Sequence, residues 1–291
     1  KGYLESVHQK VLDFFPEYTL KRNQEQVKEV TIESFLTMTV PYKFKSEPWT
    51  KVCTSEDWGG KVLEQVGGKE AIGERFHYST LGIQVLSNVL TKATGMSLKE
   101  FARKYLFEPL EMVDTCYKPV DKIRCAPTEI RDDETYRGLV RGDVHDETAY
   151  AMGGVAGHAG VFSTVKDMSH FIQMILNKGT YNGKKVFSDV TIDRLFVPQV
   201  STKHDLVNHY DRRGIGWIVN SQCSSAGDLT SYDDTILHTG FTGTNVWVDR
   251  KYQVGFSMLT NRVHPTRKNI KHIDARTRIA NYIMAHLDEF E

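Results

Sequence analysis

The chain has 291 residues, with 37 Lys and Arg set against 37 Asp and Glu, so its formal charge at neutral pH is zero. That balance excludes the basic footprint of a nucleic-acid binder, whose phosphate contacts need a positive surface. Apolar residues at 40% and charged residues at 25% exclude a disordered chain, because there is apolar area enough to offset the entropy of ordering. The longest apolar run, residues 149–162, is glycine-rich, broken by His158 and shorter than the roughly 18 residues of a membrane span. The opening residues KGYLESVHQK carry neither an apolar core nor a small-residue cleavage site, so no signal peptide is read there. The cysteines Cys53, Cys116, Cys125 and Cys223 are too sparse for a disulfide framework and form no C-x-x-C pair. Buried free thiols are expected, with a Cys116–Cys125 bridge left open for an oxidising compartment.

Residues 1–204 read as a mainly helical region. Over 82–94 the apolar residues Ile83, Val85, Leu86, Val89, Leu90 and Ala93 approximate helical spacing, and Gly95 follows as a stop. Ser97-Leu98-Lys99-Glu100 reads as a capping box that opens a second helix to about Leu106, closed by Pro109. A third helix starts at Thr164, carries Met168, Phe171, Ile172, Ile175 and Leu176 on one face, and ends before Gly179. Residues 205–291 change character. The runs 245–249 and 254–259 predict an antiparallel hairpin, with 236–240 as a preceding strand. Over 270–287, Ile270, Ile273, Ile279, Ile283 and Leu287 predict a helix lying on that sheet. The expected class is α+β, a helical subdomain followed by an antiparallel sheet and a C-terminal helix.

Most standard catalytic signatures are absent from the sequence: no G-x-S-x-G, H-E-x-x-H, Walker loop or G-x-G-x-x-G. The one S-x-x-K, Ser163-Thr164-Val165-Lys166, falls where a helix N-cap is expected, and capping is its expected role. Three segments carry more: Phe76-His77-Tyr78-Ser79-Thr80-Leu81-Gly82; the glycine-rich 153–164 containing His158; and His238-Thr239-Gly240-Phe241-Thr242-Gly243, leading to Leu259-Thr260-Asn261-Arg262.

In order and spacing these resemble three landmarks of the serine β-lactamase-like hydrolases, which include class C β-lactamases, D-alanyl-D-alanine peptidases and related esterases. Glu108-Pro109-Leu110-Glu111-Met112 is similar to the family's P-L-G-M turn, and Gly214-Ile215-Gly216-Trp217 to its G-x-G-W strand. Ala126-Pro127-Thr128-Glu129, Arg141-Gly142-Asp143-Val144-His145-Asp146 and 153–162 resemble one branch of penicillin-binding-protein-4B-like proteins and N-acetylmuramyl-L-alanine amidases. Thr148 stands where that branch usually has Asn. For His145, Asp146 and His158 three readings stay open: support of a hydrogen-bonded loop, substrate orientation, and metal binding. No His/Asp spacing matches a ligand template, so neither metal nor cofactor is expected.

The resemblance implies a fold that lacks its N-terminal strands and nucleophile helix in this chain. Gly2, the segment Phe15-Pro16-Glu17-Tyr18 and residues 31–39 resemble the stretch immediately downstream of the family's Ser-x-x-Lys helix. The expected function is acyl transfer on a cell-wall-derived amide or small ester in bacteria. The nucleophile lies outside the chain, which is inactive alone. The alternative is a non-catalytic protein binding a muropeptide or a partner. An extracytoplasmic location is implied, and surface left by a missing segment would favour self-association.

Tyr78 matches the Tyr of the family's Y-x-N element and is the implied proton shuttle, although a free phenol with a pKa of about 10 needs cations nearby to act as a base. His238, in place of the Lys of K-T-G, is the implied second catalytic group. It is a cation only when protonated, which predicts pH-dependent activity near neutrality. Thr239 and Gly240 edge the implied cleft, the Phe241 N–H is an oxyanion donor, and His158 is a substrate-orienting candidate. Thr80 replaces the usual Asn, offering a short hydroxyl where an amide would both donate and accept.

Overall fold

The computed structural model describes residues 2–22, 24–43, 49–55, 57–133, 135–203, 210–219 and 225–289. Cys223 and the expected 204/205 boundary lie outside the described residues.

Helix α1 (Leu81–Thr94) buries Leu81, Val85 and Val89, spaced at i, i+4 and i+8. Gly95 ends it at φ +69° and returns its N–H to Thr91 O, a left-handed cap that glycine adopts without steric cost. Next comes the reciprocal capping box, in which Ser97 Oγ accepts from Glu100 N–H and the Glu100 carboxylate accepts from Ser97 N–H, opening α2 (Leu98–Ala102). The winding then widens into a π turn over Arg103–Phe107, so the predicted length is right but the hydrogen bonding changes midway.

The inner face of α1 packs into a core with Val11, Phe15, Val27, Val30, Phe35 and Leu63. Lys10 pairs antiparallel with Thr31 and Val11 is fully buried, so the N-terminal residues are packed into the fold. Gly82 sits where a Cβ would run into the Phe35 ring and come within 3.0 Å of the Tyr42 hydroxyl. Helix α3 (Glu147–Ala151) is capped by Asp146, which accepts from Ala149 N–H at 2.8 Å. Helix α4 (Val165–Leu176) is capped by Thr164, which accepts from Asp167 N–H at 3.2 Å. Ser163 Oγ is 2.8 Å from Thr115 Oγ1, so the S-x-x-K hydroxyls are engaged in capping and anchoring this helix.

Six strands form one antiparallel meander in chain order: β1 (Val200–Lys203), β2 (Tyr210–Arg213), β3 (Ile218–Val219), β4 (Thr235–Thr239), β5 (Asn245–Asp249) and β6 (Val254–Met258). The period-two alternation sorts their side chains. Val219, Ile236 and Val248 pack toward α4, while Ile218, Leu237 and Trp247 face helix α5 (His272–Ala285). His238 therefore projects from the same face as Ile236, the face toward the helical part.

The reading of α5 needs correction. Ile270, Ile273 and Ile279 are exposed, and the residues turned inward are Arg276 and Ala280, with Ile283 and Met284 packed behind them. Apolar spacing misjudged the rotation of this helix because Arg276 reaches hydrogen-bond acceptors on the sheet. Cys53, Cys116 and Cys125 are free thiols, of which only Cys53 is buried.

Replacing Gly82 with Ala is expected to cost about 1–3 kcal/mol, the usual penalty for overpacking a filled core. Urea unfolding of the purified variant checks this, with an unchanged midpoint as the contrary result.

Candidate active site

The segment before α1 is pinned at several points. The His77 N–H donates to Met38 O at 2.7 Å, and Ser79 Oγ accepts from Leu81 N–H at 3.2 Å. The Tyr42 hydroxyl is buried against Ser79 and Gly82, and burial pushes it far above the ordinary phenol range. With its neighbours fixed, Tyr78 is left 72% exposed, its ring edge-on to Phe76 at 6.5 Å. It lines a cleft of about 400 Å³ with Pro41, Tyr42, Glu70, Phe76 and His77, and Glu70 Oε2 lies 2.8 Å from His77 Nε2.

The second wall is joined to the first by contact. The Arg213 guanidinium, at the end of β2, lies 3.8 Å from the centre of the Phe76 ring. On its other side Arg213 is close enough to His238 to disfavour imidazole protonation. The run Tyr78–Phe76–Arg213–His238 thus crosses from the helical part to the sheet, and Trp217, edge-on to His238 at 6.4 Å and stacked on Phe171, closes the far side.

His238 is open to solvent on one side and crowded by protein on the others. That desolvation, reinforced by Arg213, holds its pKa below the ordinary imidazole value, although a bond from Nδ1 to Thr239 O partly opposes the shift. Because Thr239 O only accepts, at 3.0 Å, Nδ1 carries the proton and Nε2 of the neutral ring is the free acceptor. Near pH 7 His238 is therefore a neutral imidazole, in keeping with the expectation that it is a cation only when protonated, and the cation beside it is Arg213.

Thr239 ends β4, and Gly240 opens the turn to β5, where a Cβ would collide with Thr244 Oγ1. Phe241 is 58% exposed, but one face of its ring stacks on His145 at 5.8 Å and Arg262 lies 4.3 Å from its centre. His145 Nε2 donates at 2.9 Å to buried Glu129, which also receives the backbone N–H, Nε and Nη2 of Arg267. Burial alone would raise the Glu129 carboxyl; the Arg267 donors and the His145 ring outweigh it and hold the group at about 2. Arg267 also reaches Glu147, which pairs with Arg131.

Thr80 sits at the start of α1 with its hydroxyl accepting from Gln84 Nε2 at 3.3 Å. His158 is buried and donates from Nε2 to Asp146 Oδ1 at 2.8 Å, behind the α3 cap. Its Nδ1 meets no partner among the described residues. No group of three His, Cys, Asp or Glu side chains suited to a metal occurs among the described residues, and no described helix is long and apolar enough to cross a membrane. Sequence reasoning missed Arg213, Arg267 and Arg276 as parts of the site. Glu129, His145 and Arg262 carried a signal, through the motif resemblance.

These environments set two expected outcomes. In an NMR titration His238 is expected to protonate below about 6.5, and Arg213→Gln to raise its midpoint by less than the full shift, since desolvation is the larger cause. For Glu129 the folded pKa lies below the unfolded one, so its stabilisation is present above about pH 4.5 and lost as pH falls toward 2. Glu129→Gln should cost about 3 kcal/mol at pH 7, with the gap to the parent closing across that window in urea melts.

Three comparisons bear on this geometry. The chain is 33% identical over 210 residues to an N-acetylmuramyl-L-alanine amidase of Bacillus subtilis, an overlap of 66% of this chain and 45% of that protein. The chain thus spans about half the length of the curated relatives it matches. Among solved structures, EstCE1, described as a hydrolase with promiscuous acyltransferase activity, superposes with a TM-score of 0.69 at 17% identity, covering 97% of this chain and 79% of that one. A penicillin-binding protein homologue from Caulobacter crescentus gives 0.67 at 15% identity, covering 97% and 77%. At these identities the two structures speak for the fold alone. The beta-lactamase family pattern matches residues 4–281, so the expected loss of N-terminal strands is not borne out, in keeping with an N-terminal segment packed into the core. On that match, spanning nearly the whole sequence, the chain belongs to the beta-lactamase family.

Proposed function

We propose that this chain forms the substrate cleft of an acyl-transfer hydrolase acting on a cell-wall-derived amide or a small ester, with the attacking serine supplied from outside these 291 residues. The observation that carries the reading is the contact run from Tyr78 through Phe76 and Arg213 to His238. On that basis the phenol and the imidazole acceptor are taken as the two walls of one cleft. In this reading the Tyr78 oxygen takes the proton of the attacking hydroxyl as the serine–carbonyl bond forms, and returns it to the leaving amine or alcohol as the bond between carbonyl carbon and leaving group breaks. The oxygen left with the negative charge is received by the Phe241 N–H. Neutral His238 accepts a hydrogen bond through Nε2, and Thr80, Thr239 and Gly240 border the acyl group. His158 acts at a distance through the Asp146 cap.

The serines nearest to hand argue against an internal nucleophile. Ser79 Oγ caps Leu81 and meets Tyr42, and Ser163 Oγ is engaged by Thr115. Cell-wall substrates are favoured by the amidase relative, whose name specifies N-acetylmuramyl-L-alanine.

A fluorophosphonate probe tests the proposal. Labelling of the protein only when it carries upstream sequence containing a Ser-x-x-Lys is expected, and Tyr78→Phe in that form should slow labelling by about 10²–10⁴. A labelled serine mapped inside residues 1–291 would refute the external nucleophile. Absence of labelling in both forms would favour a non-catalytic muropeptide or partner binder.

A further inference from the structure

In the turn between β4 and β5 every carbonyl from Gly240 to Thr244 is held by a donor. Arg276 Nη2, reaching across from α5, donates to Gly240 O at 3.0 Å and to Thr244 O at 2.6 Å. Arg262 donates through Nε to Phe241 O at 2.7 Å and through its backbone N–H to Thr242 O at 2.9 Å. Thr260 Oγ1 donates to Gly243 O at 2.8 Å. A trans peptide is planar, with its N–H pointing opposite to its C=O. With the Gly240 carbonyl held by Arg276 and by the Gly243 N–H at 3.1 Å, the N–H of the same peptide unit, that of Phe241, is turned away from these donors. There it meets no acceptor among the described residues.

Arg276 is 6% exposed and forms no ion pair among the described residues, and burial together with nearby Arg262 disfavours its charge. A buried cation with carbonyls as its only partners is an expensive way to stabilise a hairpin. Its position has a separate consequence. Polarising the Gly240 carbonyl strengthens the N–H on the other end of the same amide. One planar guanidinium nitrogen also bridges both ends of the turn, which fixes the peptide plane as well as its charge.

Resting on the acyl-transfer reading above, we infer that Arg276, assisted by Arg262, is a positioning residue that aims and strengthens the Phe241 N–H as the oxyanion donor. The structure thereby gives the C-terminal helix a part in the site although none of its side chains needs to touch substrate.

The test is an NMR titration of the full chain, labelled with ¹⁵N-phenylalanine, using acetate as the oxyanion probe. The Phe241 amide resonance, assigned by its loss in Phe241→Leu, is expected to shift saturably in the parent protein. In Arg276→Met the apparent affinity should weaken about fivefold or more, the scale of one hydrogen bond, with Arg276→Lys in between. Arg262→Gln, which keeps the backbone bond to Thr242, should weaken it in the same direction and serves if circular dichroism finds Arg276→Met unfolded. An unchanged acetate response in folded Arg276→Met, or in Arg262→Gln where the former does not fold, overturns the positioning role. A parent Phe241 amide that ignores acetate overturns the oxyanion assignment itself, and with it the acyl-transfer reading on which the inference rests.

Discussion

The cleft depends on one constraint: its two walls come from parts of the chain far apart in sequence, and contacts between side chains hold them together. The Arg213 guanidinium on the face of Phe76 joins the Tyr78 segment to the end of β2. Cation–π contacts of this kind contribute about 0.5–2 kcal/mol, enough to fix a geometry but too little to hold two subdomains alone. The rest comes from backbone and polar links across the same seam. The Gly216 N–H reaches Leu36 O, Asn261 Nδ2 reaches Pro127 O, and the Ile130 N–H reaches Pro265 O. Each link ties a residue of the helical part to one in or after the sheet.

Charge is arranged unevenly around this seam. Arg213, Arg262, Arg267 and Arg276 lie on the sheet side, and Glu129 and Glu147, the carboxylates that pair with Arg267, lie behind Phe241. Such buried networks rarely add net stability over an apolar core, because desolvation of the ions offsets their attraction. What they supply is orientation. Glu129 fixes the His145 ring and the Arg267 fork, and those two flank the Phe241 ring. A neutral His238 fits this setting, since a further cation beside Arg213 would be repelled and desolvated at once.

Local signals in the sequence were read reliably where the local chain decides its own conformation. The Ser97 capping box, the Gly95 stop, the Thr164 cap and the β5–β6 hairpin depend on residues within four or five positions, and all occur where expected. Tyr78 and His238 were singled out through ordered motifs, whose spacing in sequence stands in for proximity that periodicity cannot give. Arg213 and Arg276 were not legible. Arg213 sits in a polar strand end and Arg276 in an amphipathic helix, and nothing in either neighbourhood distinguishes a buried cation from a solvated one. Their roles depend on acceptors about 30 residues or more away in sequence, the Gly240 and Thr244 carbonyls for Arg276 and the Phe76 ring for Arg213.

The misjudged rotation of α5 has the same origin, and its cause can be traced in physical terms. A helix on a sheet is expected to bury its isoleucines, and three here would each gain about 1.5–3 kcal/mol from full burial. Ile273 and Ile279 are instead exposed, while Ile283 packs against the sheet-side cluster and Arg276 and Ala280 face inward. Apolar burial alone would rotate the helix the other way. The Gly240 and Thr244 carbonyls would then lose the guanidinium nitrogen they share and keep only the backbone N–H groups of Gly243 and Gly240. The small Ala280 lets the helix approach Leu237 and Trp247 closely, and Arg276 reaches the turn from that position. The helix therefore turns Arg276 to the β4–β5 turn while Ala280, Ile283 and Met284 pack on the sheet, and that arrangement ties the C-terminal segment to the geometry of the cleft.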